Sequence, residues 1–294
     1  MRWVPTTPPP LEVLEEALDV LDQHLFLSEV TGPTTHVSIS AENLEHADVP
    51  RALGRYFVGV MAGAVDEDAT LSEELLATTP DSAVEVRHNV LSVIGTTNRF
   101  PDKAARGFRD RVRNPWIAEL VAHALLVLRA RRETACLAGT PFALKQPHID
   151  PRRQGLDLIG IYDSQGDPAA AIGEAKASRR YGKRRLNEAA DFFSRIDKGK
   201  RGVEIRSELG ALKHVLPAGL REKVADGYWR ERRCYLPVVV FNDPIDEESD
   251  HDGLGALAPP VECRRLIALQ LERFHPFFND VADEIRTALD EVLP

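Results

Sequence analysis

The stretch that decides the fold is GLDLIGIYDSQGDPAAAIGEAKA, residues 155–177. It holds two apolar runs, 156–162 and 169–177, on either side of the polar sequence Ser-Gln-Gly-Asp. Short apolar runs that flank a turn sequence are typical of two neighbouring antiparallel strands. The segment therefore predicts a β-hairpin, and both of its strands are apolar enough to be buried.

Three charged residues interrupt these apolar strands. Glu174 and Lys176 are two residues apart, so their side chains share one face of a strand. Asp157 lies near the start of the preceding strand and could stand beside Glu174, although the sequence leaves the register of the hairpin open. Buried charges are costly unless they pair or bind a cation. The pattern therefore indicates a site for Mg²⁺ or Mn²⁺, which prefer oxygen ligands.

A site of this kind suits the hydrolysis of phosphodiesters. A divalent ion can lower the pKa of a bound water, orient that water and neutralise the scissile phosphate. Lys176 beside the ion can stabilise the developing charge or help to deprotonate the water. The alternative is a structural cluster of salt bridges, or charges on an exposed edge of the sheet, because a short Glu-x-Lys sequence often occurs by chance.

The segments around the hairpin predict the fold class. A deeply buried helix at 116–131 precedes the hairpin, because apolar residues surround almost its whole circumference. An amphipathic helix at 183–196, a buried strand at 235–241 and a closing helix at 278–292 follow. This order predicts an α/β fold, with a central mixed β-sheet flanked by helices.

The chain divides into two regions in this interpretation. Residues 1–110 form an N-terminal α+β region, suited to docking a partner, and residues 111–294 form the domain that carries the hairpin. The boundary lies in the basic segment 98–114, which is expected to be a connector. The predicted elements of the first region are helices at 11–27, 49–65 and 71–77 and a strand at 35–40.

Composition limits the classes of function. No apolar run approaches the roughly 20 residues that span a bilayer, and the proline-rich N-terminus has no signal-peptide core, so we expect a cytoplasmic protein. The three cysteines are far apart and predict neither a disulfide framework nor a zinc knuckle. The net charge of −9 argues against coating of nucleic acid through bulk charge. It leaves room for a local basic patch.

Such a patch follows the second strand of the hairpin directly. Its side chains could contact phosphates along a nucleic-acid strand, or they could belong to a solvated helix start with acidic partners nearby. The residues of this basic patch are Arg179, Arg180, Lys183, Arg184 and Arg185.

The spacing of the charged residues resembles that of a known superfamily. Asp157 followed by Glu174-Ala175-Lys176 resembles the PD-(D/E)xK nuclease signature, although Leu156 stands where the signature has proline. The resemblance implies a restriction-endonuclease-like core over residues 115–241.

The same resemblance implies roles for particular residues. Asp157 and Glu174 would ligate Mg²⁺ or Mn²⁺ together with the backbone carbonyl of Ala175, and Lys176 would assist the attacking water. Many members add a glutamate from the preceding core helix, and Glu119 occupies the matching position.

A narrower resemblance covers roughly residues 95–290. The runs Glu119–His123, Gly155–Asp157 and Gly173–Lys176 look like those of the DUF1837 family. That family includes the nuclease subunit of the two-component Hachiman antiphage system, whose partner is a helicase. The resemblance implies a metal-dependent DNA endonuclease that acts in bacterial defence beside a helicase. The alternatives are an RNA-acting nuclease of the same superfamily and a catalytically silent binding subunit with a nuclease fold.

Overall fold

The computed structural model describes residues 10–62, 83–132, 136–147, 155–224, 227–243 and 245–293. Across these residues a mixed sheet of seven strands is flanked by helices on both faces, which confirms the predicted α/β class. The helix predicted at 71–77 lies outside the described residues. Among the helices of the described ranges, none is both long enough and apolar enough to cross a membrane.

The sheet is parallel at its centre and antiparallel at both edges. The strand order is β1-β2-β7-β6-β5-β4-β3, and the four central strands β2, β7, β6 and β5 run parallel to one another. The strands are β1 (Phe26–Val30), β2 (Val37–Glu42), β3 (Pro141–Leu144), β4 (Leu158–Ser164), β5 (Asp167–Ser178), β6 (Arg233–Phe241) and β7 (Arg265–Gln270).

Two apolar cores lie on the two faces of this sheet. Helices α1, α2, α3, α5 and α10 contribute to one core, and α6 and α7 contribute to the other. The helices are α1 (Pro10–His24), α2 (Asp48–Met61), α3 (Ala83–Ile94), α4 (Lys103–Phe108), α5 (Asn114–Arg131), α6 (Gly182–Asp197), α7 (Gly202–Val215), α8 (Ala218–Arg221), α9 (Asp252–Gly255) and α10 (Phe274–Val292).

The sheet and the first core cross the boundary predicted at residue 110. Strand β2 pairs with β7 in the register Val37↔Arg265, and α2 packs against α10. The N-terminal elements therefore share their hydrogen bonds and apolar contacts with the region that contains the hairpin. The division into regions 1–110 and 111–294 stays a prediction.

Two segments differ from the sequence-based expectation. The basic segment 98–114 is largely helical: it holds α4, then a π-helical turn at Arg109–Arg113 that runs into α5. Asp102 caps α4, because its carboxylate accepts a hydrogen bond from the backbone N–H of Ala105 at 2.8 Å. Helix α1 ends at His24, and the last residues of the predicted helix 11–27 instead enter β1, where pairing with β2 prevails over helical periodicity.

The hairpin of β4 and β5 is confirmed. Its turn residues Gln165 and Gly166 have φ values of 58° and 92°, the left-handed conformations that a tight two-residue turn requires. The register runs from Ser164↔Asp167 at the turn to Leu158↔Gly173 at the open end. A Cβ added at Gly173 would lie 2.8 Å from the Cβ of Leu158, so this pairing needs glycine directly before Glu174.

Candidate functional site

The candidate site lies where the hairpin opens. Strand β4 begins at Leu158, opposite Gly173, whereas β5 continues to Ser178 and pairs there with β6 along one edge. Continuing the register by one residue brings Asp157 opposite Glu174. The second half of β5 therefore has an edge that β4 leaves uncovered, and the predicted acidic residues stand at that edge.

Direct contacts join the predicted residues. The Asp157 carboxylate accepts a hydrogen bond from the backbone N–H of Ala175 at 2.9 Å. The Lys176 ammonium donates a hydrogen bond to the Glu174 carboxylate and forms an ion pair with it. Ala175 packs into the core that contains α5, so Glu174 and Lys176 share the opposite face of β5, as the spacing predicted.

The third carboxylate comes from α5. Glu119 lies in the second turn of that helix, which packs against β5. Burial raises the pKa of Glu119 well above its usual range, and the charges of Asp157 and Glu174 raise it further. The same residues that the sequence grouped therefore interact electrostatically in the fold.

Burial and nearby charges also shift the pKa values of Asp157 and Lys176. Burial and the nearby Glu174 raise the pKa of Asp157 to about 7, against the opposing effects of Lys176 and the Ala175 N–H. Burial alone would lower the pKa of Lys176, but the neighbouring carboxylates outweigh it and the pKa is raised. Lys176 is therefore an ammonium at neutral pH. If all three carboxyls ionised, only Lys176 and, for Asp157, the Arg201 guanidinium would oppose their negative charge.

The carboxylate oxygens suit a hard divalent cation, but in the present arrangement they are not all close enough together to bind one ion. An all-oxygen set with excess negative charge suits Mg²⁺ or Mn²⁺. However, Glu119, Asp157 and Glu174 do not offer oxygens that all lie within 4.8 Å of one another. Their oxygens would have to close around an ion, and the Lys176 ammonium would have to leave Glu174.

A basic cleft adjoins this cluster at the carboxyl end of β5. Its cavity volume is about 390 Å³, and it begins at Ala177, the residue after Lys176. Of the predicted basic patch, Arg179, Arg180 and Arg185 line it, whereas Lys183 and Arg184 do not. The other lining residues are Arg109, Asp110, Asn114, Ser178, Tyr181, Phe274 and His275.

The arginines of the cleft differ in how much they are already paired. Arg185 forms an ion pair with Glu188 at 2.5 Å, and Arg184 beside it shares the same partner at 3.0 Å. Part of the patch is thus a solvated helix start with an acidic partner, which is one of the two alternatives that the sequence left open. Phosphate contact by the rest of the patch stays a prediction. Arg179 and Arg180 are exposed. Among the described residues, their side chains form no ion pair, so they can contact an anion without first breaking one.

Arg109 and His275 line the cleft but were not predicted from the sequence as site residues. Arg109 belongs to the segment that was expected to be a connector, and its basic composition was the signal available there. His275 lies in the first turn of α10 and is brought to the cleft by the tertiary fold alone. Burial lowers the pKa of His275, and the charge of Arg109 lowers it further. The cleft therefore draws on three separate parts of the chain.

His123, one helical turn after Glu119, belongs to the core. Its side chain is buried, and its Nδ1 lies 2.6 Å from the Tyr56 hydroxyl in a hydrogen bond. Burial lowers the pKa of His123 to about 4, although a backbone hydrogen bond at Lys145 opposes the shift. These contacts indicate a packing role.

The lowered pKa of His123 predicts a loss of stability in mild acid. The unfolded chain binds a proton near pH 6.5 and the folded chain does so only near pH 4, so stability is fully present above 6.5 and falls towards pH 4. At pH 5 this residue should cost about 2 kcal/mol relative to pH 7. Urea denaturation at both pH values should show a smaller loss in His123→Gln. The exposed control His88→Gln should match the parent, and equal losses in all three proteins would contradict the prediction.

Comparison with known proteins adds no family assignment. A scan against protein-family models and a search of curated proteins found no match to this chain. The resemblance to PD-(D/E)xK nucleases thus depends on the motif residues themselves, and the functional argument depends on the site described above.

Proposed function

We propose that the protein is a nuclease that hydrolyses DNA phosphodiester bonds with Mg²⁺ or Mn²⁺. The observation that carries the proposal is that Glu119, Asp157 and Glu174 lie together, and that burial and mutual repulsion disfavour ionisation of the first two. Partly buried carboxylates without enough counter-charge are costly. A divalent cation bound between them would remove that cost.

Each side chain of the site has a distinct role in this proposal. The three carboxylates would hold the ion, which supplies Lewis acidity and a more acidic bound water. Lys176 remains protonated among the carboxylates, so it would stabilise negative charge on the phosphate oxygens in the transition state. The backbone N–H of Ala175 holds Asp157 in position through its hydrogen bond.

The adjoining cleft supports a nucleic acid as substrate. The protein as a whole carries a net charge of −9, whereas the arginines at the end of β5 make the cleft locally basic. A cleft that begins one residue after Lys176 can hold the phosphates next to the scissile one. The chemistry of the carboxylate cluster and the charge of the cleft therefore point to the same polymer.

Removing the two unpaired arginines should weaken DNA binding and reduce its salt dependence. In Arg179→Ala/Arg180→Ala, the slope of log affinity against log salt should fall by up to about 2, since each lost phosphate contact removes roughly 0.9. Fluorescence anisotropy with a labelled duplex at several salt concentrations measures this. The control Arg51→Ala/Arg206→Ala removes the same charge from exposed positions outside the cleft, and an equal effect there would show that only bulk charge matters.

One observation favours a second candidate, a catalytically silent binding subunit. The Lys176 ammonium already pairs with Glu174, and the three carboxylates are not gathered within 4.8 Å. A cluster of this kind could be a structural ion pair beside a DNA-binding cleft. This candidate predicts DNA binding without turnover.

Parallel cleavage assays separate these candidates. Labelled DNA and RNA are incubated with the purified protein in Mg²⁺, in Mn²⁺ and in EDTA. We expect cleavage of DNA in either metal and none in EDTA. Cleavage of RNA alone would assign the RNA-acting alternative, and binding without cleavage of either polymer would replace the proposal with the silent subunit.

We further propose, from the resemblance to the DUF1837 family, that the nuclease acts in the cytoplasm as the effector of an antiphage defence system. Its partner would be a helicase, which would unwind DNA for the cleft to engage. The proposal is supported by the sequence motifs around Glu119, Asp157 and Glu174. Co-purification with a helicase encoded by the neighbouring gene tests it, and a neighbour without helicase motifs would count against it.

A further inference from the structure

A second group of metal-ligating side chains lies in the N-terminal part of the protein. His24 is the last residue of α1, and Asp48 is the first residue of α2. His46 lies in the turn just before α2. Among the described residues, these three form the one group of histidine, cysteine or acidic side chains whose ligand atoms all lie within 4.8 Å of one another.

The distances in this group are close to those of a tetrahedral metal centre. The Asp48 carboxylate oxygen Oδ2 lies 3.7 Å from His24 Nε2 and 3.6 Å from His46 Nδ1. Ligands about 2.1 Å from a tetrahedral ion stand roughly 3.4 Å apart. Both distances are within a few tenths of an ångström of that separation. Binding also requires the two stacked rings to rotate apart, because a metal lies in the plane of each imidazole that ligates it. His46 Nδ1 would exchange the hydrogen bond that it accepts from the Asp48 N–H at 3.4 Å for the ion.

Backbone structure fixes the three residues relative to one another. The His46 N–H donates to the Asn43 carbonyl at 2.9 Å, and the Val49 N–H donates to the His46 carbonyl at 3.0 Å. The rings of His24 and His46 stack with their centroids 4.0 Å apart and an interplanar angle of 16°. The group is therefore ordered by the turn and by the packing of α1 against α2.

The helices themselves approach each other closely. A Cβ added at Gly59 of α2 would lie 3.0 Å from the Cβ of Leu14 in α1, so the two backbones are nearly in contact. Such packing holds the end of α1 near the start of α2. It leaves the three side chains partly accessible, with exposed fractions of 28%, 62% and 44% for His24, Asp48 and His46. An ion can therefore enter from solvent.

We propose that His24, His46 and Asp48 bind one Zn²⁺ ion, with a water molecule as the fourth ligand. Two imidazoles and one carboxylate favour zinc and its neighbours Co²⁺, Ni²⁺ and Cu²⁺ over Mg²⁺, which prefers oxygen alone. The ion would tie the end of α1 to the start of α2. This site is separate from the carboxylate cluster of β5 and does not depend on the proposed nuclease activity.

Metal titration of the full chain tests the proposal. The protein is stripped with chelator, returned to excess Mg²⁺ to saturate oxygen-only sites, and titrated with Co²⁺ and then Zn²⁺. We expect one Co²⁺ per chain with the visible absorption of a tetrahedral complex, its displacement by Zn²⁺, and a melting temperature that rises with Zn²⁺ concentration. Failure to bind either ion in the presence of Mg²⁺ would overturn the proposal.

Three single variants assign the ligands. His46→Ala and Asp48→Asn should weaken Zn²⁺ binding by more than the roughly 10- to 100-fold that loss of an outer-shell partner costs. His88→Ala removes an exposed histidine outside the group and should bind as the parent does. Circular dichroism confirms that each variant is folded. Unchanged Zn²⁺ stoichiometry and affinity in both ligand variants would place the ion elsewhere and refute the assignment.

Discussion

Replacing Glu174 with glutamine should reduce metal-dependent cleavage of DNA by about 100- to 1000-fold, the range that loss of one electrostatic contact to the transition state costs. Glutamine keeps the shape of the side chain, which is 10% exposed, but removes a metal-ligating oxygen and the negative charge that pairs with Lys176. Cleavage measured under single-turnover conditions at saturating protein isolates the chemical step from DNA binding.

The control for this variant makes the same chemical change elsewhere. Glu291 forms an exposed ion pair with Arg55 at 2.7 Å, so Glu291→Gln also neutralises a paired glutamate. It should cleave DNA at the rate of the parent. If Glu174→Gln also cleaves DNA at the rate of the parent, the carboxylate cluster at β5 is not the active site, even if the protein is a nuclease.

The variant Lys176→Met tests whether Lys176 acts in catalysis rather than in metal binding. Removing the ammonium should leave Mg²⁺ binding intact or stronger, because a competing cation next to Glu174 is gone. Cleavage should nevertheless fall, since the charge that stabilises the transition state is lost.

The hairpin could be predicted from sequence because its determinants are local. The turn chemistry at Gln165-Gly166 and the apolar runs beside it are contained within 23 consecutive residues. The same turn sets the register, which then brings Asp157 opposite Glu174. The sequence identified these residues but left their register open, because a shift of one residue would have sent them to opposite faces.

Tertiary pairing explains what the sequence did not predict. The apolar run at 264–272 contains β7, a buried parallel strand, and such strands lack the alternation that would distinguish them from a helix. Periodicity reports which face of an element is apolar, but not which element covers it. For that reason neither the pairing of β2 with β7 nor the arrival of His275 at the cleft followed from the pattern. The ion pair of Lys176 with Glu174 depended on rotamers, which the sequence does not specify.

Replacing Glu119 with glutamine should stabilise the protein in EDTA and remove most of the stabilisation that Mg²⁺ provides. The raised pKa of Glu119 means that folding favours its protonated form, so the ionised group lowers stability as the pH rises above 4.5 towards the folded value. A neutral amide avoids this ionisation cost, which grows by about 1.4 kcal/mol for each pH unit between the unfolded and the folded pKa. Urea denaturation at pH 7.5, in EDTA and in Mg²⁺, measures both effects.

The two conditions together distinguish a metal site from a structural ion-pair cluster. If Glu119 binds no ion, its replacement should change the stability of the protein equally with and without Mg²⁺. If it is a ligand, the variant gains stability in EDTA and loses it in Mg²⁺, where the parent is stabilised by binding. Glu231→Gln, an exposed change outside the site, should shift stability by less than about 0.5 kcal/mol in either condition. Opposite changes in the stability of Glu119→Gln, a gain in EDTA and a loss in Mg²⁺, therefore require a cation among these carboxylates.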